Sequence, residues 1–584
     1  MNRRKFLAYA GALPVAAHPV ASLAANGAVP ATDATASPTA LTSEPLMARY
    51  QLCMDRVMHG SGPAYTTEFL LADVYGAPGR RFTNFSGDVS GRWIGAVSAA
   101  SATYRQHFPM LDEVVHKTLS LQHPEGYFGK TFRFDHPTDD DLALLWGNGR
   151  LLIGLMEYYA LTGDAATLGA AKRLGDFLVR LGPKFNTKQM ADEFGAAHFA
   201  MSYICWTQQT EGLAALYAAT RDIRYRDLCS AIAERMERRP ADHVHGYLCS
   251  LRGTLDLYTA TGEKAHLKRV EEAWLDVVHS GDVLITYGVP EAWSPNKKRT
   301  EGCAECDWLR LNLALWRATG KEVYLEMAEH VLFNEFSMNQ FSTGDFGHAI
   351  LNEAGTPGIV SVRAWWCCTF HGLRTFPDIH RNVFRTDGTK LFYDLPIDGA
   401  IKADNLSARA TSTLATDGKV RLHISKVLPS HSLTIRKPSW AKSLEISHNG
   451  KKIEGLDVGN LQTGDAVTVE YIMTLDKSPM GASKGHTQLT AFSFGPWLLG
   501  VPSDRNPGYF NELQASNTFI SGSVKSASGK PTSIFDVPIA AQTVAYLPAE
   551  FPVQPSRVGL HAVAIQTASL PTQWQTVFDL RDVV

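Results

Sequence analysis

Leu151-Leu152-Ile153-Gly154-Leu155-Met156-Glu157-Tyr158-Tyr159-Ala160-Leu161-Thr162-Gly163 reads as the end of a helix. Its apolar side chains at 151, 152, 155, 156 and 159 share one helical face, and Gly163 can take the left-handed conformation that stops it. A second helix-period stretch follows at once, through Leu168, Ala171, Leu174, Phe177 and Leu178. The chain therefore doubles back as a helical hairpin. The same design recurs at Tyr217-Ala218-Ala219-Thr220-Arg221, Tyr258-Thr259-Ala260-Thr261-Gly262 and Trp316-Arg317-Ala318-Thr319-Gly320, each time with an aromatic a fixed distance before the turn. Repeated hairpins bury their apolar faces against one another. Residues 46–385 have room for about six of them, which predicts a closed (α/α)6 toroid rather than an open solenoid. The short turns belong at one end, and long loops such as 281–300 and 341–366 at the other, where a cleft would form.

Beyond residue 385 the period changes. Lys419-Val420-Arg421-Leu422-His423-Ile424, Ser432-Leu433-Thr434-Ile435-Arg436 and Ala466-Val467-Thr468-Val469-Glu470-Tyr471 alternate, and Asn449-Gly450 is a two-residue hairpin turn. Residues 386–584 therefore read as an antiparallel β-sandwich region of one or two units, packed against the toroid. The fold class is mainly α and multidomain.

With 45% hydrophobic and 20% charged residues, the 584-residue chain can bury a large core and a further domain. Its net charge of −2, without long runs of either sign, gives no reason to expect a nucleic acid partner. No apolar run reaches the roughly 20 residues of a membrane span. Asn2-Arg3-Arg4-Lys5-Phe6-Leu7, the apolar stretch Ala8 to Ala17 and the small residues Ser22-Leu23-Ala24 form a twin-arginine export signal over residues 1–25. An Ala/Thr/Ser/Pro-rich linker over 26–45 follows. The expected location is periplasmic or secreted.

Cysteines stand at 53, 205, 229, 249, 303, 306, 367 and 368. Cys367 and Cys368 are adjacent, a geometry that disfavours an ordinary disulfide between them. Twin-arginine export carries folded proteins, so a metal loaded in the reducing cytoplasm would protect such thiolates afterwards. Glu301-Gly302-Cys303-Ala304-Glu305-Cys306, with Trp365-Trp366-Cys367-Cys368 farther on, supplies thiolates and carboxylate for a tetrahedral zinc site. The first group opens a helix, where negative ligands are favoured. A structural four-thiolate site from Cys303, Cys306, Cys367 and Cys368 fits the same residues, as does Cys306 as a core side chain.

This constellation resembles the β-L-arabinofuranosidase family, glycoside hydrolase family 127. The resemblance is carried by Gly288-Val289-Pro290-Glu291-Ala292-Trp293, Glu301-Gly302-Cys303, the Trp316–Gly320 turn and Trp366-Cys367-Cys368. Gly126-Tyr127, Pro438-Ser439-Trp440-Ala441 and Asn449-Gly450 support it over most of the chain. It implies Zn2+ held by Glu301, Cys303, Cys367 and Cys368; Cys306 has no counterpart in the family pattern and stays an alternative ligand on its Cys-x-x-Cys spacing alone. It also implies Cys367 as nucleophile and Glu291 as acid/base. A retaining glycosidase needs such a pair flanking the scissile bond, as carboxyls about 5 Å apart do elsewhere, and zinc can keep a thiolate in the nucleophile's place.

The family holds its sugar with histidines and a tyrosine. Here Arg150, after Gly147-Asn148-Gly149, and His348, in Gly344-Asp345-Phe346-Gly347-His348, stand near two of those positions. Trp206-Thr207-Gln208-Gln209 lacks the expected His-Gln, and His245 is preferred over His243. Arg150, His245 and His348 are therefore the candidate sugar-binding residues. An arginine at 150 would pair with a carboxylate, which admits an acidic sugar besides an L-arabinofuranoside-like one. In Phe85-Ser86-Gly87-Asp88-Val89-Ser90-Gly91-Arg92-Trp93, Asp88 and Arg92 read as a capping pair that also suits a cleft wall. Asp139-Asp140-Asp141 reads as a helix N-terminus. The expected function is exo-acting retaining hydrolysis of an oligo- or polysaccharide glycoside. A polysaccharide lyase on the same toroid and a non-catalytic zinc-stabilised glycan-binding protein are the alternatives.

Overall fold

The computed structural model describes residues 45–77, 84–195, 201–236, 239, 243–294, 296, 298–341, 343–349, 363–483 and 486–502, with the strands 518–521, 537–545, 556–564, 574–575 and 577–579. The export signal, and the linker apart from its last residue, lie outside them.

Six inner helices close a ring, each packed on the next. They are Asp88–Tyr104, Asp139–Thr162, Thr210–Thr220, Val244–Thr261, Gly302–Thr319 and Trp366–His380, and the last returns to the first. Five have an outer partner that follows in sequence: Pro109–Ser120, Ala165–Phe185, Ile223–Arg235, Lys264–His279 and Glu322–Val331. The sixth outer helix, Pro45–His59, comes from the other end of the toroid's sequence and packs on Trp366–His380. The toroid is closed by that long-range pairing.

The spacing of aromatic to turn has a physical basis. In all four hairpins the amide after the helix donates to the carbonyl of the aromatic four residues back: Gly163 to Tyr159, Arg221 to Tyr217, Gly262 to Tyr258 and Gly320 to Trp316, at 2.7–2.8 Å. This is the left-handed C-cap. Arg221 adopts the same conformation at φ 59° without being glycine. The crossing of Asp88–Tyr104 on Asp139–Thr162 is made close by small residues. A Cβ on Gly91 would stand 2.4 Å from the Leu151 nitrogen, and one on Gly154 2.4 Å from the Gly91 carbonyl oxygen.

After the toroid, a six-stranded antiparallel sheet runs in the order Lys451–Ile453, Ala441–His448, Ala466–Met473, Lys419–Val427, Leu406–Thr413, Gly399–Lys402. A four-stranded sheet runs Asp457–Val458, Ser432–Ile435, Lys390–Tyr393, Phe384–Asp387. The first strand, Phe384–Asp387, straddles the boundary expected at 385. The alternation holds: Val420, Leu422, Ile424, Leu433, Ile435, Val467, Val469 and Tyr471 are buried. Two pairings depart from the expected antiparallel pattern: Lys390–Tyr393 runs parallel to Ser432–Ile435, and Thr518–Ser521 to Val577–Asp579. A further eight-stranded sheet begins at Leu475–Ser483. Asn449 and Gly450 take positive φ (49° and 78°) between His448 and Lys451, as a type I′ turn requires.

The β region docks on an outer helix. Arg436 pairs with Glu322 and Glu329 at 3.1 and 3.2 Å, and the Asn334 side chain bonds Pro496 O and Leu498 N. No helix among the described residues is long and apolar enough to cross a membrane.

Candidate active site

Two inner helices aim their first turns at one point. Glu301 caps Gly302–Thr319, which carries Cys303 in its first turn, and Trp366–His380 carries Cys367 and Cys368 in its own. Cys303 Sγ lies 3.8 Å from Cys368 Sγ, and Cys367 Sγ lies 4.0 Å from Cys368 Sγ. The edge of a tetrahedron with metal–sulfur bonds of about 2.3 Å is about 3.8 Å. Ligand atoms of Glu301, Cys303, Cys367 and Cys368 all fall within 4.8 Å of one another. Glu301 Oε2 is buried without a hydrogen-bond partner. The residues present therefore fit a tetrahedral metal ion. Helix dipoles favour the negative charge such a set carries. Gly302 makes the approach possible, since a Cβ there would stand 2.8 Å from Cys368 Cβ. All eight cysteines are free of disulfides.

The three thiols differ. Hydrogen bonds from Cys303 and Cys368 pull the Cys367 thiol well below its ordinary range, against burial and with help from Arg92 and His348. Burial pushes Cys303 and Cys368 up. Cys303 and Cys368 are fully buried, while Cys367 reaches a cavity of about 470 Å³ that Glu291 also lines. Phe85, Trp146, Trp365 and Trp366 supply its aromatic walls, and His243, His245 and His348 its imidazoles. The volume is that of a small-ligand site.

Glu291 and Arg299 face each other across a short ladder in which Glu291 N donates to Arg299 O at 2.9 Å. Both carboxylate oxygens of Glu291 accept from the guanidinium, from Nη2 at 2.6 Å and from Nε. His348 Nε2 stands 3.6 Å from Glu291 Oε1. Burial would raise the Glu291 carboxyl, but His348 and Arg299 outweigh it and hold it at about 2. Glu291 is thus ionised at rest.

A second layer lies one helical turn deeper. Residues at i and i+4 stack on a helix: Asp88 over Arg92, Trp146 over Arg150, His245 over Cys249, Cys303 over Asp307, Cys367 over His371. His245, Cys249, Asp307 and His371 are fully or nearly fully buried and also have the types and spacing to hold a metal ion. Asp307 accepts from Arg252 at 2.7 Å, and Arg252 continues to Glu211 at 2.8 Å. Removing one partner of such a buried pair costs about 3–5 kcal/mol. Asp307→Ala is expected to lower urea-unfolding stability by that order, and a loss below about 1 kcal/mol would show that the axis tolerates the unpaired charge.

The sequence candidates do not all meet. Glu291, Glu301, His245, His348 and Cys367 line the cavity. Arg150 does not. Its guanidinium stacks 4.9 Å from the Trp146 ring and donates to Cys249 Sγ at 3.0 Å, because position 150 is one turn below the cavity wall. Cys306 sits likewise about one turn, some 4.5 Å, below Cys303. It is fully buried, burial pushes its thiol up, and Thr375 is its partner. Asp88 and Arg92 are both a helix pair, at 2.7 Å, and cavity lining. Arg299, Trp146, Asp307 and His371 are not marked by the sequence motifs, and His243, placed second to His245 there, lines the cavity beside it. The i, i+4 step from Cys303 and from Cys367 was the available signal for Asp307 and His371. Among the described residues, no side chain of the β region lines this cavity.

The sequence profile of the GH127 β-L-arabinofuranosidase catalytic domain matches residues 71–381, more than half of the chain. The chain belongs to glycoside hydrolase family 127. A GH127 β-L-arabinofuranosidase from Geobacillus stearothermophilus T6 shares 16% identity with it at a TM-score of 0.68, over 92% of this chain and 99% of that one. A GH127 β-arabinofuranosidase shares 17% at 0.70, over 91% and 94%. A third glycoside hydrolase shares 18% at 0.64, over 86% and 94%. These likenesses establish the same fold. No curated protein matches the sequence. As a family 127 member the protein is a glycoside hydrolase acting on carbohydrate.

Proposed function

We propose that this family 127 enzyme is an exo-acting retaining glycosidase for β-L-arabinofuranoside-like neutral sugars of plant oligo- or polysaccharides, exported by the twin-arginine route. Cys367 is its nucleophile and Glu291 its acid/base. The observation that supports this best is that, of three convergent thiols, Cys367 alone opens to the cavity that Glu291 lines.

Glu301, Cys303, Cys367 and Cys368 would hold a zinc ion, which keeps cysteine sulfurs deprotonated when bound. Cys367 attacks the anomeric carbon and forms a thioglycosyl bond as the aglycone departs. Glu291 gives a proton to the leaving oxygen and then takes one from the incoming water. It must first acquire that proton. Arg299 is 43% exposed in its side chain against 14% for Glu291, so the guanidinium is the partner free to swing out when a glycoside enters. His348 and His245 border the same space and suit sugar hydroxyls.

Neutral sugars are favoured over acidic ones by the pairing of charge. Arg150 stands behind Trp146, and among the described residues the two arginines lining the cavity are already engaged, Arg92 by Asp88 and the Cys303 sulfur and Arg299 by Glu291. Among the described residues the same pairing leaves no cavity-lining arginine free to meet a lyase's uronate.

Proton NMR of 4-nitrophenyl β-L-arabinofuranoside hydrolysis is expected to show the β-configured sugar first. Mass spectrometry with a slow-turnover analogue is expected to place a glycosyl adduct on the Cys367 peptide. An inverted first product, or no turnover across furanosides and pyranosides, would end this reading.

A further inference from the structure

Three thiolates and a carboxylate around one divalent ion leave two negative charges in excess, buried at the cavity floor. Such a set needs nearby positive charge. The candidate is Arg92, whose side chain is only 3% exposed. Nε donates to Asp88 Oδ1 at 2.7 Å, and Nη1 points at Cys303 Sγ at 3.6 Å. The same Nη1 lies 2.9 Å from His371 Nδ1, and Nη2 lies 3.0 Å from His245 Nε2.

A guanidinium only donates, so both of those ring nitrogens accept. Each imidazole, kept neutral chiefly by burial, then carries its hydrogen on the other nitrogen. Those hydrogens face one atom. His245 Nδ1 hydrogen-bonds Asp307 Oδ2 at 2.6 Å, whereas His371 Nε2 stands 3.6 Å from that oxygen and makes no hydrogen bond. Cys249 Sγ donates to the same oxygen at 3.0 Å while accepting from Arg150 Nη1 at 3.0 Å. In this arrangement the His245 nitrogen and the Cys249 sulfur turned toward Asp307 act as donors, and an ion there would have to displace those hydrogens. Arg92, Arg150 and Arg252 around the cluster oppose a second cation as well.

We propose that Asp307, through His245 and His371, orients Arg92 as the positioning residue that balances the charge of the Glu301/Cys303/Cys367/Cys368 set, and that this lower cluster is the relay for it rather than a second metal site. The inference rests on the zinc reading above, and its test separates the two.

Zinc content of the full-length chain is measured together with chelator-competition affinity and the sulfur-to-cobalt charge-transfer band of Co2+-substituted protein. The wild type is expected to hold one equivalent. Arg92→Met is expected to bind about 10–100-fold more weakly, as loss of an outer partner of a metal ligand does. Its band should move to longer wavelength, because sulfur without a neighbouring cation gives up electrons more readily, and added guanidinium should move it back. Arg92→Lys, which keeps the charge and loses the fork, should fall between, and it carries the test if Arg92→Met does not fold. His371→Ala should still hold one equivalent. Unchanged affinity and spectrum in both Arg92 variants would overturn the proposal, as would two equivalents in the wild type with one lost in His371→Ala. A wild type that binds no zinc would remove the ligand reading itself, and this inference with it.

Discussion

Cys367→Ala is expected to lower kcat by about 10⁶-fold, the scale on which a covalent nucleophile is lost. The size follows from the division of labour among three sulfurs. Cys303 and Cys368 are fully buried and their thiols are pushed up, whereas Cys367 faces the cavity and its thiol is pulled down by hydrogen bonds from its two neighbours. Chemistry therefore has one sulfur to use. Because Cys367 is also a candidate metal ligand, the variant is compared with Cys368→Ala at measured metal content. Cys368→Ala loses a ligand and keeps the nucleophile, so it should form the glycosyl adduct wherever metal is retained, and Cys367→Ala should form none at any metal content. Activity of Cys367→Ala within tenfold of wild type would place the nucleophile elsewhere.

Glu291→Ala is expected to cost about 10²–10⁴-fold in kcat/KM on an alkyl glycoside, the usual contribution of one proton-transfer group. The loss should shrink on a nitrophenyl glycoside, whose aglycone departs without protonation. Its pH behaviour has a definite sign. The acid role requires protonated Glu291, and His348 and Arg299 overcome burial to hold that carboxyl at about 2. The limb of kcat/KM that falls with rising pH therefore begins low in the wild type. Arg299→Ala removes one of the two groups that depress it, so the limb should move upward, by as much as about two pH units if Glu291 returns to the ordinary glutamate value. A limb that stays in place, or moves down, would show that Arg299 does not govern the proton on Glu291.

How far the sequence reaches differs from feature to feature. Tyr159, Tyr217, Tyr258 and Trp316 announced four hairpins because a left-handed cap bonds the residue four back, a local rule visible in any single turn. Glu301-Gly302-Cys303 and Cys367-Cys368 announced the sulfur cluster because each group sits within one helical turn. The closing helix Pro45–His59 was not legible as such, since its partner Trp366–His380 lies at the far end of the toroid. Arg150 looked like a sugar ligand because it stands near a position where the resembling family holds its sugar. Depth along the barrel axis removed it from the cavity, and no reading of adjacent residues measures depth.

By itself the sequence determined the helical hairpins, the change to strands near residue 385 and the two short groups, Glu301-Gly302-Cys303 and Cys367-Cys368, whose side chains could share an ion, because these follow from period and from ligand chemistry within a few residues. Tertiary structure alone decided which sulfur meets the cavity, that Arg299 holds Glu291 ionised and that Arg92 stands between Asp88, two histidines and Cys303. Those outcomes depend on which inner helices become neighbours when the ring closes. Charge and burial act through space over a few ångströms, without regard to the hundreds of residues that separate Arg92 from His371.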